Sequence, residues 1–342
     1  MRKRLRTVLQ YVFFFGLGIF LVWWSIRDLT AADRSHIRSA LQTARYYLIV
    51  PVFTILFLSH YIRALRWKLL IDSLGYSPSR TNTFFAVMIG YLANQAVPRL
   101  GEVLKCTVLA RYEKLPADKL IGTIILERLI DGLTLLLVFA ITIAIQPGIY
   151  SDLVSTFFYS SPEEPQGKNS SGLIFALVLV AAIILVVAAW MIRKKKTWAD
   201  LFAAIRKIIH RVWQGISAVQ HLKKRTAFVA LTVGIWACYL VAGYIGFIAL
   251  KETQHYGIRE AFSVLSAGSI GMIVTPGGIG AYALLLEKTM MVYGLQKGIA
   301  LAFGWILWLV QTAVILLGGL ISFVALPWYN KIRPRPTSYE TS

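Results

Sequence analysis

Charged side chains are scarce in this chain: 15% of 342 residues, with 16 acidic against 36 Lys and Arg. Cysteine is nearly absent. Cys106 and Cys238 are too few for a disulfide framework, and no Cys/His grouping has metal-site spacing, so thiol and zinc chemistry lack support. No G-x-x-x-x-G-K-[ST] stretch cradles a nucleotide, and no nucleophile or cofactor motif stands out. We therefore expect neither catalytic residues nor a cofactor. The net charge of +20 would suggest nucleic acid in a soluble domain, but no stretch able to fold in water is left to bind it.

What the chain has instead is apolar length. Residues of the apolar set make up 57%, and mean hydropathy is +0.63. A bilayer core takes a helix of about 20 apolar residues. Runs of that order occur at roughly 8–26, 46–63, 119–146, 173–192, 227–250 and 299–325, almost without polar faces. The composition predicts an all-α polytopic membrane protein, a single transmembrane domain over 1–342. The opening run is too long for a cleaved leader and lacks a cleavage site, so it reads as a retained span.

Lys and Arg resist translocation and mark the cytoplasmic side. "MRKRLR" opens the chain, residues 193–226 carry ten basic side chains, and "NKIRPRP" lies near the end. Residues 64–81 are also basic on balance, whereas the loop 147–172 is acidic. Both termini are therefore expected in the cytoplasm. Within 193–226, apolar residues of 198–222 recur at helical spacing, as in a basic amphipathic helix lying on anionic lipid; topogenic charge alone explains it equally.

This arrangement requires 82–118 to cross the membrane an even number of times. Two short apolar halves flank "QAVPRLGEVLK" (95–105), so the segment reads as a re-entrant hairpin with Pro98 and Gly101 at its tip. Two thin crossings are the alternative. Residues 261–297 repeat the pattern around "TPGGIG" (275–280), entering from the opposite face. Two Pro/Gly-broken segments at matching positions of two halves suggest an inverted repeat with a binding site between them; two apolar helices that merely look alike are the plainer account.

Charge in the membrane marks the candidate pathway. In "ILERLID" (125–131), Arg128 and Asp131 can pair across one turn, while Glu127 and Asp131 share a face with like charge. Buried charges there need partners or water, and Arg99, Lys105 and Lys288 are the candidates for Glu127. A snorkelling interfacial triad is the bland reading. The functional reading is a watery cavity lined by Arg99, Glu102, Arg128 and Asp131, suited to a zwitterionic or anionic head group. Pro276, Gly277, Gly278 and Gly280 would expose backbone donors where a helix restarts, or simply let helices approach. Glu287 and Lys288 would face the same cavity or the outer interface.

"GYLANQAVPRLGEVLKCTVLARYEKLPADKLIGTIILERLIDGL", followed later by "TPGGIG", resembles the lysylphosphatidylglycerol synthase transmembrane-region family, the flippase-like UPF0104 group. The resemblance spans nearly the whole chain. It implies a bacterial or archaeal cytoplasmic-membrane protein that works on membrane lipids. The fused lysyltransferase domain of two-domain members is not expected after "PRPTSYETS". Two positions depart from the family pattern: Lys105 where arginine is usual, and Ala283 where glutamate is frequent. The expected function is a flippase moving a phospholipid or polyprenyl-linked lipid between leaflets. The alternatives are an accessory subunit that scaffolds or supplies a lipid-modifying enzyme, and a membrane-embedded transferase.

Overall fold

The computed structural model describes residues 2–97, 99–149, 152, 153, 206, 219 and 222–332, with side chains from residue 15 onward. The expected span 173–192, most of the loop 147–172, nearly all of the basic segment 193–226, and Pro98 lie outside the described residues. Among those described, all regular structure is helical. Helices are numbered here in chain order: α1 (Arg2–Arg27), α2 (Ala31–Thr43), α3 (Ile49–Asp72), α4 (Arg80–Ala96), α5 (Leu100–Glu113), α6 (Ala117–Ile145), α7 (Arg225–Ala249), α8 (Ile258–Val274), α9 (Ala281–Val292) and α10 (Lys297–Ile332).

Four of these are long and apolar enough to cross a bilayer: α3 with the turn before it, α6, α7 and α10. Their outward faces stay apolar, with Ile125, Leu136, Val233, Leu320, Phe323 and Val324 exposed. Water would penalise that surface; hydrocarbon does not. The protein is an all-α, multi-pass membrane protein. The first apolar run lies within α1, which bends by 103° into α2. The second run continues past its expected end at 63 to Asp72, so Arg66 belongs to the same helix as Arg63 and not to a basic loop.

Both Pro/Gly-broken segments are helical hairpins. The arms of the first are α4 and α5, 17 and 14 residues long, about 25 and 21 Å. Those of the second are α8 and α9, 17 and 12 residues, about 25 and 18 Å. Each is shorter than the hydrocarbon core of about 30 Å. Small residues hold the arms together. A side chain on Gly101 would run into the Gly90 carbonyl across the first hairpin, and one on Gly271 would meet the Tyr282 backbone across the second.

The hairpins enter from opposite ends. α3 and α7 are antiparallel: Arg45 N–H donates to the Ala249 carbonyl at one end, and Arg66 donates to Thr232 towards the other. The first hairpin is rooted where α3 ends, the second where α7 ends. The long helix after each hairpin then crosses to the root of the other. At its far end α6 places Gln146 against Ser263 and Tyr293, while α10 ends with Asn330 paired reciprocally to Asn82 at 2.8 Å in both directions. This is the topology of an inverted repeat. The tips meet in the middle: α4's Gln95 sits where a Gly277 side chain would be, and Trp308 Nε1 donates to the Gly277 carbonyl at 2.8 Å.

Replacing Gly101 with Ala is expected to destabilise the protein by about 1–3 kcal/mol, because the clash is with backbone that cannot rotate away. Gly122→Ala on α6, where nothing lies within 4 Å, is expected to be neutral or mildly stabilising. Thermal unfolding of both variants in detergent checks the contrast.

Candidate functional site

α3 carries Arg63 and Arg66 three residues apart, and α6 carries Glu127 and Asp131 four apart, so each pair lies on one helical face. The faces meet. Arg63 Nη1 lies 2.5 Å from Asp131 Oδ2, and Arg66 Nη2 lies 2.6 Å from Asp131 Oδ1. Glu127 is 0% exposed and takes its closest partner from α5, Lys105 Nζ at 2.8 Å, with Arg66 and Arg63 at 3.5 and 3.7 Å. An unpaired charge at this depth costs about 2.5–3.5 kcal/mol, so only mutual pairing makes five such groups tolerable. Further partners hold the geometry. Lys105 also stands over the Trp67 ring, whose indole N–H donates to Thr123, and Arg63 reaches the Tyr239 hydroxyl at 3.3 Å.

Arg128 turns away from this network. Its Nε pairs with Glu102 at 2.9 Å, and both groups remain partly exposed. They line a cavity of about 680 Å³ together with Tyr91, Asn94, Gln95, Arg99, Thr275, Pro276 and Gly277. The tips of both hairpins therefore face one space, in which these polar groups sit beside Met272, Ile273, Val274 and Ile315. Arg99 enters it from a left-handed backbone, φ +67°, a conformation that strains a residue with a side chain. A second cavity of about 410 Å³ adjoins the first, sharing Tyr91, Arg128, Met272 and Ile273. Its walls are mainly apolar, among them Val52, Leu56, Leu135, Val264 and Leu307, with Arg63 and Asp131 at the polar end. A space with a charged compartment and an apolar one is shaped for an amphiphile.

Residues 8–319 match the family described as the lysylphosphatidylglycerol synthase TM region. The chain belongs to this family. It is also 30% identical over 86 residues to a UPF0104 membrane protein of Methanocaldococcus jannaschii, a match covering 24% of this chain and 26% of that relative. No solved structure matches the chain.

The structure brings Arg99, Glu102, Lys105, Glu127, Arg128 and Asp131 into one region, but not in the pairs their spacing offered. Asp131 bonds to α3 rather than to Arg128, and of the three candidate partners of Glu127 only Lys105 reaches it. Of the triad, Glu127 and Asp131 are paired within the buried network, while Arg128 stays partly exposed beside Glu102. Of the glycine-rich turn, Pro276 and Gly277 line the cavity. The N–H groups of Gly278 and Ile279 bond within the turn, and Gly280 presses on the α1 backbone at Gly18 and Val22. Gly278, close against Met272, and Gly280 thus sit in tight packing, the second of the two roles the sequence left open for them. Glu287 and Lys288 line neither cavity, because α9 turns that face towards Asp33 and Lys297.

Arg63 and Arg66 escaped the sequence reading. The signal was present in R-x-x-R on one apolar run and E-x-x-x-D on another, two charge pairs of opposite sign with compatible helical spacing. Replacing Lys105 with Met is expected to cost about 3–5 kcal/mol, since it leaves Glu127 buried without its close partner. Adding Glu127→Gln to that variant is expected to restore more than half of the loss in thermal unfolding measurements.

Proposed function

We propose that the protein moves an anionic-headed lipid, a phospholipid or a polyprenyl-linked lipid, between the leaflets of the cytoplasmic membrane of a bacterium or archaeon. One observation carries this reading. The polar cavity between the hairpin tips and the network beneath it hold Arg63, Arg66, Arg99, Lys105 and Arg128 against Glu102, Glu127 and Asp131. With all eight ionised the excess is two positive charges, which favours a phosphate-bearing head over a zwitterionic one. Arg99 and Arg128 face the space, Arg128 with only the partly exposed Glu102 as its partner, whereas Arg63, Arg66 and Lys105 are held in the buried network, so these two are the groups a head group would meet.

The adjoining apolar cavity gives the hydrocarbon chain somewhere to remain while the head crosses. Inverted hairpins around a central site suit alternating access, each tip gating from its own side. The positive-inside pattern supports cytoplasmic termini: Lys114, Lys119, Lys224, Arg225 and Lys331 gather at the end where the first hairpin is rooted. This reading assigns no catalytic residue and no cofactor; the partners are membrane lipids.

In liposomes carrying head-group-labelled phosphatidylglycerol or polyprenyl phosphate, the purified protein is expected to accelerate leaflet exchange. Arg128→Ala and Arg99→Ala should each lower that rate at least tenfold with little change in thermal stability, because both side chains are partly exposed. Exchange left intact by these variants, and by Glu102→Ala, would remove the cavity from the pathway. Absence of exchange with every anionic lipid would favour an accessory role beside a lipid-modifying enzyme.

A further inference from the structure

One buried carboxylate takes no part in the site described above. Glu287, on α9, is 1% exposed. Its Oε1 stands 3.8 Å from the Lys288 ammonium, beyond hydrogen-bonding reach, and its Oε2 is buried with no partner. Glu102, Glu127 and Asp131, by contrast, each hold a cation at 2.9 Å or closer. A carboxylate buried without a bonded cation is strongly disfavoured, and taking up a proton is its ordinary way of relieving that.

The charged groups acting on Glu287 are few. Its own helix supplies Lys288, the start of α10 supplies Lys297, and α2 supplies Asp33. Lys297 points at the Asp28 carbonyl, and Asp33 is engaged in capping α2 at Thr30. α8, packed along α9, carries only Arg259 and Glu260, both in its first turn, where Glu260 caps Gly257. The described part of α1 offers Arg27, which pairs with Asp28. Among the described residues, Lys288 at 3.8 Å is thus the nearest cation to Glu287, and none is hydrogen-bonded to it.

The same helix carries the second hairpin tip. α9 starts directly after Gly280, its Tyr282 lines the apolar cavity, and Gly277 lines the polar one. Glu287 lies five residues beyond Tyr282, about 8 Å along the axis. A change in how α9 seats at Glu287 moves Tyr282 at the apolar cavity directly, and Gly277 at the polar one through the short turn that joins it to α9.

We propose that Glu287 is a proton-binding site whose occupancy sets the seating of α9, and through it the position of the Gly277 tip. With the proton bound, the neutral carboxyl stays packed beside Leu286 and Met290. When the proton leaves to water at the end where Asp33 and Lys297 sit, the carboxylate is drawn towards Lys288, Lys297 and that water, and α9 loosens. The ligand is the proton alone, so the site stands independently of which lipid is moved. It goes beyond the transport reading by giving it a driving force: a proton gradient would bias the tip.

The test uses the full chain in lipid nanodiscs. The pH-difference infrared spectrum of the wild type should contain a protonated-carboxyl band that Glu287→Gln abolishes. In hydrogen exchange corrected for intrinsic rate, residues 281–292 should lose protection by about tenfold or more on passing from acidic to alkaline pH, as an unpaired charge at membrane depth demands. Glu287→Gln, a neutral isostere, should hold acidic-level protection throughout. A carboxyl band unchanged by Glu287→Gln, or α9 exchange equally pH-dependent in both proteins, overturns the proposal. Neither readout involves lipid movement, so failure of leaflet exchange would sink the transport reading without touching this one.

Discussion

Five ionised groups that must pair with one another inside a membrane constrain this protein more than any other feature. Glu127 and Asp131 on α6 are satisfied only if α3 presents Arg63 and Arg66 at the matching height and α5 delivers Lys105. Removing any one partner leaves a charge unpaired in a network that is largely buried. The requirement fixes the register of α3 against α6 and the depth to which the first hairpin returns. Apolar packing alone discriminates poorly between registers in a membrane, since lipid tails compete on equal terms with Leu and Ile.

From that register the rest follows. With α5 held by Lys105, the tip before it carries Arg99 and Glu102 into the centre of the molecule, where Arg128 meets them. The second hairpin reaches the same space from the opposite end, and the contact between Gln95 and Gly277 sets the two tips side by side. The long helices crossing to each other's roots make the halves interdependent, so the cavity is formed by neither half alone. Its polar compartment is built from the interruptions in the apolar pattern, and its apolar compartment from the uninterrupted helices.

Most of this architecture is legible in the sequence, because membranes impose simple rules: apolar length identifies spans, and the charge balance of the segments between them requires an even crossing count that turns 82–118 and 261–297 back on themselves. The charged network was half legible. Glu127, Asp131 and Lys105 stand out against apolar neighbours, but Arg63 and Arg66 lie where the hydropathy of α3 falls off, one at the last residue of the expected span and the other in the basic stretch after it. Only a match of helical spacing between two distant runs reveals them. The role of each glycine in "TPGGIG" is illegible for a different reason. Whether a glycine frees a donor or admits a neighbour depends on what packs against it, and Gly280 meets α1, some 260 residues away in sequence. The position of Glu287 relative to the cavity likewise depends on how α9 is rotated by α8 and α10.

On the function proposed above, the two hairpin tips enclose a head-group site with excess positive charge. The most direct measurement is a high-resolution structure of the full chain in nanodiscs of phosphatidylglycerol or another anionic lipid. It should show lipid phosphate density between the tips, within hydrogen-bonding distance of Arg99 or Arg128, with its hydrocarbon chain running past Tyr91 and Met272. Ordered lipid bound only on the outer faces of α6, α7 and α10, with the space between the tips closed or filled by water, would contradict it.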